Sequence, residues 1–138
     1  MNSSQFNKIL VVKHGSLGDI AFSILAMASI KQFFNNATID LLTEEKYVNF
    51  LSNSNYFNSI FKDNRKGIIV SLKVLFKINQ NKYDLIIDLQ NSKRTNNYWS
   101  FLKFISEVKV NGSRSNCDIQ YVILHKELKL HNKVYTIN

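Results

Sequence analysis

The residues of this chain best placed to do chemistry lie at one turn. An apolar run, Ile-Leu-Val-Val at residues 9–12, gives way to Lys13-His14-Gly15-Ser16-Leu17-Gly18-Asp19. A Gly-x-x-Gly turn lets a ligand approach the backbone closely. A helix opening at that turn presents free N–H groups able to hold an anion or a polar substrate, with Ser16 and Gly18 beside it. Asp19 falls in the first helical turn. The helix dipole keeps a carboxylate there ionised, so it could accept a proton from a sugar hydroxyl within hydrogen-bond reach. The same residues also fit a capping box, Ser16-x-x-Asp19, in which the acid serves the helix alone. Both readings stay open on local sequence. The turn is not a P-loop, because no Lys-Ser or Lys-Thr follows Gly18, and it lacks the third glycine of the dinucleotide fingerprint.

Two further clusters carry polar chemistry. Asp88-Leu89-Gln90-Asn91-Ser92-Lys93-Arg94 follows a second apolar run. Gln90, Asn91 and Ser92 could bond sugar hydroxyls, and Lys93 and Arg94 could hold a phosphate or carboxylate. Alternatively, Asn91 or Ser92 caps a helix and the basic pair faces solvent. Asp63-Asn64-Arg65-Lys66-Gly67 reads as a polar turn. Arg65 and Lys66 could reach an anionic substrate, and a plain solvated turn is the competing reading. His14, His125 and His131 show no ligand spacing and Cys117 is the single cysteine, so no metal site is predicted. Trp99, with Tyr98 and Phe101, reads as core.

These clusters need elements to position them. Apolar runs at residues 8–13 and 84–89 predict strands covered on both faces, as in a parallel sheet. Further strands are predicted at 37–43, 56–62, 108–111 and 119–124. Helices are predicted at 17–34, 44–52, 66–79 and 95–105, the first apolar on most sides and therefore buried. The alternation predicts an α/β fold, a single Rossmann-like doubly wound sheet, mostly parallel. Its two most apolar strands should be central neighbours. The crevice beyond their carboxyl ends would bring residues 15–19 close to residues 90–94.

The chain has 138 residues, is 45% hydrophobic and 20% charged, and contains no proline. That suits one globular domain, expected over residues 1–124, with a polar tail over 125–138. No run reaches membrane-spanning length and no basic region precedes an apolar stretch at the start, so neither a transmembrane segment nor a secretory signal is expected. A lone cysteine fits a reducing cytoplasm. The formal charge is +8. Residues 1–60 hold four Lys/Arg against four acids, whereas residues 61–138 hold fourteen against six. This asymmetry points to an acidic partner or to a solubilising surface. A specific nucleic-acid interface is not expected, because no recognition motif accompanies the charge.

The segment Ile-Leu-Val-Val-Lys-His-Gly-Ser-Leu-Gly-Asp-Ile, taken with Tyr-Asp-Leu-Ile-Ile-Asp-Leu-Gln at residues 83–90, resembles the N-terminal half of the heptosyltransferases of glycosyltransferase family nine. The resemblance spans roughly residues 8–112. It implies the acceptor-side half of a GT-B enzyme that transfers heptose from ADP-heptose to the inner core of lipopolysaccharide, inverting the anomeric centre without a metal. It implies Asp19 as general base, with Arg65, Lys66, Lys93 and Arg94 on the side of an anionic, lipid-linked acceptor. A location in the cytoplasm, peripheral on the inner face of the membrane, follows. No cofactor is implied; the donor belongs to a second Rossmann-like domain, which is expected to be missing from this chain, through truncation or as a separate partner. The isolated chain is then expected to be inactive, and a non-catalytic module binding anionic glycolipid is the alternative. The sequence departs from the family pattern at Leu25, where proline is usual, and at Asn91, where glycine is usual.

Overall fold

The computed structural model describes residues 3–112 and residues 119 and 120. Cys117, His125, His131, the polar tail and most of the last predicted strand lie outside the described residues. A short 3₁₀ turn, Ser3–Gln5, leads into β1 (Lys8–Val12), α1 (Leu17–Phe33), β2 (Thr38–Thr43), α2 (Glu45–Ser52), β3 (Ser59–Lys62), α3 (Gly67–Asn81), β4 (Leu85–Asp88), α4 (Lys93–Ile105), β5 (Lys109–Gly112) and β6 (Ile119–Gln120). All strand pairs are parallel, in the order β3-β2-β1-β4-β5-β6. The order reverses at β1 and β4, which pair directly, Ile9 with Leu85 through Val12 with Asp88. The sheet is doubly wound, as the strand–helix alternation predicts.

Alternation along β1 sorts the core into two layers, because successive side chains of a strand point to opposite faces. Ile9 and Val11 join Ile39, Leu41, Leu85 and Ile87 beneath α1 and α2, where Ile20, Met27, Ile30 and Leu51 cover them. Leu10, Val12, Leu42 and Ile86 lie beneath α3 and α4, against Leu75, Ile78, Trp99 and Leu102. With both faces covered, Ile9 to Val12 are fully buried. Asp40, the charged residue inside β2, accepts bonds from the Tyr83 hydroxyl at 2.6 Å and the Ser59 amide at 3.0 Å.

Three expectations need correction. α1 is not buried on most sides: Leu17, Phe22 and Leu25 are each more than half exposed, because the helix offers the sheet one stripe and nothing among the described residues covers its outer side. β3 starts at Ser59 rather than at residue 56. The Ser54 hydroxyl accepts from the Tyr56 amide, Asn55 is left-handed at φ 60°, and pairing begins only after Asn58 exchanges bonds with Ile39. α4 starts at Lys93, two residues early, because Ser92 and Thr95 form a reciprocal capping box.

Candidate functional site at the carboxyl edge of the sheet

Three loops converge beyond the carboxyl ends of β1, β3 and β4. Gly15 turns the chain out of β1 with φ +74°, and a Cβ there would lie 2.6 Å from the Ile20 side chain, so the position admits glycine alone without rearrangement. Its amide donates to Gln90 Oε1 at 3.0 Å, which joins the loop after β1 to the loop after β4. Residues 15–19 and 90 therefore meet as the topology predicts. A Cβ on Gly18 would meet nothing within 4 Å, so the space above the first turn of α1 is open.

The capping-box reading of this turn is not realised. Ser16 takes the N-cap position with extended backbone, but its hydroxyl makes no cap bond. Its carbonyl accepts from the Ile20 amide at 2.9 Å, the first bond of the helix. The first-turn N–H groups thus lack a side-chain cap, and the exposed Asp19 carboxylate bonds no described residue. Its electrostatic neighbour is Lys13, which is buried and donates to the Leu89 carbonyl at 3.3 Å. Burial pushes the Lys13 ammonium down, and the carboxylates of Asp19 and Asp88 pull it back part of the way.

Asp88 closes β4 and is itself buried. Its Oδ2 accepts from Trp99 Nε1 at 2.7 Å, and its Oδ1 accepts from the amides of Gln90 and Asn91 at 2.9 Å each. Asn91 is left-handed, with φ 51°. Asparagine is among the few residues that tolerate this region, and a glycine would enter it freely. Ser92 caps α4, as one reading of this cluster has it; Lys93 is exposed on the first turn. Arg94 turns inward instead, donating to the Tyr98 hydroxyl at 2.9 Å and to Ser71 Oγ.

The turn after β3 is not a plain solvated turn. Asp63 is buried and its Oδ2 lies 2.9 Å from His14 Nε2, itself fully buried. The same oxygen accepts from the Tyr98 hydroxyl at 2.8 Å, while Oδ1 accepts from the Arg65 amide at 3.0 Å. Burial pushes the Asp63 carboxyl up, but the bonds from His14, the Arg65 amide and Tyr98 outweigh it and hold it below the usual carboxylate range. Burial also raises the Tyr98 phenol, which stays protonated and donates. Arg65, left-handed at φ 56°, forms an ion pair with Glu44, and Lys66 is exposed at the N-cap of α3.

Ser16, Gly18 and Asp19 thus share one open turn, Gln90 buttresses it, and Arg65, Lys66 and Lys93 stand at the neighbouring helix starts. Arg94 is held by the interior network. Lys13, His14, Asp63 and Tyr98 were missed as site-forming residues. For Lys13, His14 and Asp63 the signal is position: a titratable side chain within two residues of a parallel strand's carboxyl end lies at this edge by topology, whereas Tyr98, inside α4, carries no such signal. Among the described residues, no three His, Cys, Asp or Glu side chains converge as a metal site would require. A cavity of about 720 Å³ lies at the opposite end of the sheet beside Tyr83, Asp84 and Lys109.

No protein-family model matches the chain. Lipopolysaccharide heptosyltransferase 1 of Campylobacter coli is 32% identical over 87 residues, covering 60% of this chain and 25% of that protein. The chain resembles the N-terminal half of a heptosyltransferase. A glycosyl transferase family 9 structure from Veillonella parvula superposes with a TM-score of 0.75 at 15% identity, over 96% of this chain and 43% of that one. E. coli ADP-heptose lipopolysaccharide heptosyltransferase II superposes with a TM-score of 0.60 at 20% identity, over 76% and 30%. At such identities the two structures speak for the fold. The chain spans a quarter of the length of the curated relative and less than half of each of these structures.

Proposed function

We propose that this chain forms the acceptor side of a heptosyltransferase-like glycosyltransferase, with Asp19 as general base. The observation that carries this reading is the uncapped turn: Asp19 stands at the switch point of the sheet, its carboxylate bonded to no described residue, beside the open space over Gly18. The acceptor is an anionic lipopolysaccharide-core glycolipid. Ser16, Gln90 and the first-turn N–H groups of α1 receive its hydroxyls, and Lys66 and Lys93, with Arg65 and Arg94 behind them in their own bonds to Glu44, Tyr98 and Ser71, supply the positive field that its phosphates or carboxylates meet. Asp19 takes the proton of the attacking hydroxyl. The oxygen forms its bond to the anomeric carbon of the heptose from the opposite side to the leaving group, and the bond to ADP breaks with the electron pair leaving on ADP. Configuration inverts, and no metal is required of this half. The donor ADP-heptose occupies a second Rossmann-like unit facing this edge, and the enzyme works in the cytoplasm at the inner face of the membrane.

The reading is tested by mixing the chain with the donor-binding half of a full-length heptosyltransferase and following ADP release in the presence of an inner-core acceptor. ADP release is expected from the mixture and not from the chain alone, and Asp19→Asn should abolish it while acceptor binding persists. Transfer by the chain alone would overturn the division of sites. Activity persisting in Asp19→Asn would remove that residue from the base role. Glycolipid binding without turnover in any mixture would favour the non-catalytic module.

A further inference from the structure

We infer that the outer face of α3 is a docking surface for an anionic phospholipid bilayer. α3 is apolar on two sides. Leu75 and Ile78 pack on the sheet, while Ile69, Leu72 and Phe76 form a second stripe on the outward face, 72%, 37% and 55% exposed. Spacings of three, four and seven residues put these side chains in line. Ile68, at the start of the helix, is 79% exposed. Packing the core does not account for this stripe, since it points away from it.

Charge selects the occupant. From residue 65 to residue 83 there are five cations, Arg65, Lys66, Lys73, Lys77 and Lys82, and no acid. Lys73 and Lys77 are exposed along one side of the stripe, and the Lys77 ammonium lies 4.4 Å from the Phe61 ring. An apolar stripe beside lysines whose long stems can carry their charge to the headgroups is the pattern of a helix lying in a membrane interface. A convex helix face without a groove fits a deformable bilayer better than a shaped protein pocket. The exposed stripe of α1, Phe22 and Leu25, lies on the other layer of the sheet and has no such basic frame. Because α3 starts at the turn that carries Arg65 and Lys66, a bilayer against it stands level with the candidate site. This placement rests on the acceptor reading only for its biological purpose.

The test uses the full chain and vesicles free of glycolipid, so its failure leaves the acceptor reading standing and failure of glycolipid binding leaves this surface standing. The chain should co-sediment with equimolar phosphatidylglycerol and phosphatidylcholine vesicles and much less with phosphatidylcholine alone, and salt should weaken the association. Replacing Lys73 and Lys77 together by Gln should lower partition about thirtyfold, a factor of about five per lysine. Ile69→Ser with Phe76→Ser should lower it at least about tenfold. Both pairs are exposed, and an unchanged far-UV circular dichroism spectrum will show that the fold survives. Phe22→Ser on the opposite layer should change nothing. Equal partition into neutral vesicles, partition insensitive to both α3 pairs, or a concentration-dependent dimer that Ile69→Ser with Phe76→Ser dissolves would overturn the inference.

Discussion

Within a single turn, one residue type can serve stability or chemistry, and the two separate under substitution. Asp19 makes no cap bond, so Asp19→Asn should cost less than about 1 kcal/mol in urea denaturation, little beyond the loss of its dipole interaction. A true capping box would lose more, up to about 2 kcal/mol. Gly15→Ala and Gly18→Ala make the complementary pair. The first forces a Cβ against Ile20 at a left-handed position and should destabilise by about 1–3 kcal/mol; the second meets open space inside a helix and should leave stability unchanged or raise it by up to about 1 kcal/mol. Asp63 ties the turn after β3 to His14 and Tyr98. Asp63→Asn exchanges one acceptor oxygen for an NH2 group, so either the Arg65 amide or the His14–Tyr98 pair loses its acceptor in a buried site, which should cost about 1–3 kcal/mol. Its folded-state pKa lies below the unfolded value, so its contribution is present above the ordinary carboxylate range and is lost as pH falls through the lowered value. The Asn variant should therefore show a shallower acid limb in stability measured against pH; an acid limb identical to that of the unsubstituted chain would show that Asp63 is not the titrating group.

At the scale of elements, the four α-helices among the described residues differ in how they begin. α4 starts on a reciprocal box between Ser92 and Thr95, whereas α1 starts on a Ser16 that bonds nothing through its hydroxyl. Ser92→Ala should accordingly lower stability by about 0.5–2 kcal/mol in chemical denaturation, and Ser16→Ala should fall well below that range. The contrast bears on what could be read in advance. Order and type of the described elements were legible, because continuous apolar runs at β1 and β4 and helical periodicity between them leave few arrangements but a doubly wound sheet. The meeting of the Gly15 turn with Gln90 was legible for the same reason, since topology places it. Cap chemistry was not: Ser16-x-x-Asp19 and Ser92-x-x-Thr95 look alike as a start signal and both serines take the same extended N-cap backbone, yet only the Ser92 hydroxyl reaches an amide. The exposed outer side of α1 is not legible, because apolar content does not equal burial: hydrophobic residues of a chain are not all inside. The pair of His14 with Asp63 was invisible to spacing rules because its members are 49 residues apart and meet only through parallel pairing of β3, β2 and β1.

Across the whole molecule, the charge asymmetry becomes a spatial fact at one edge. Arg65, Lys66 and Lys93 come from two different loops of the basic second half, yet the order of the sheet sets those loops on either side of the turn built by the neutral first half. Arg65 has already met Glu44, and Arg94 is tied to Ser71 and Tyr98, so the exposed field rests mainly on Lys66 and Lys93. Fields between exposed charges are screened over about 10 Å at 0.1 M salt, so they steer an anionic ligand strongly only in dilute buffer. Affinity for a phosphorylated inner-core oligosaccharide, measured by calorimetry, should therefore fall as salt rises. Replacing Lys66 and Lys93 together by Gln should weaken binding on the order of tenfold at low salt, with most of that difference gone once screening is complete. Arg94→Gln should behave otherwise: it breaks the part-buried bonds to Tyr98 and Ser71, lowers stability, and carries a penalty that salt does not erase. Salt dependence unchanged by the double lysine variant would move the acceptor's anionic contacts away from these helix starts.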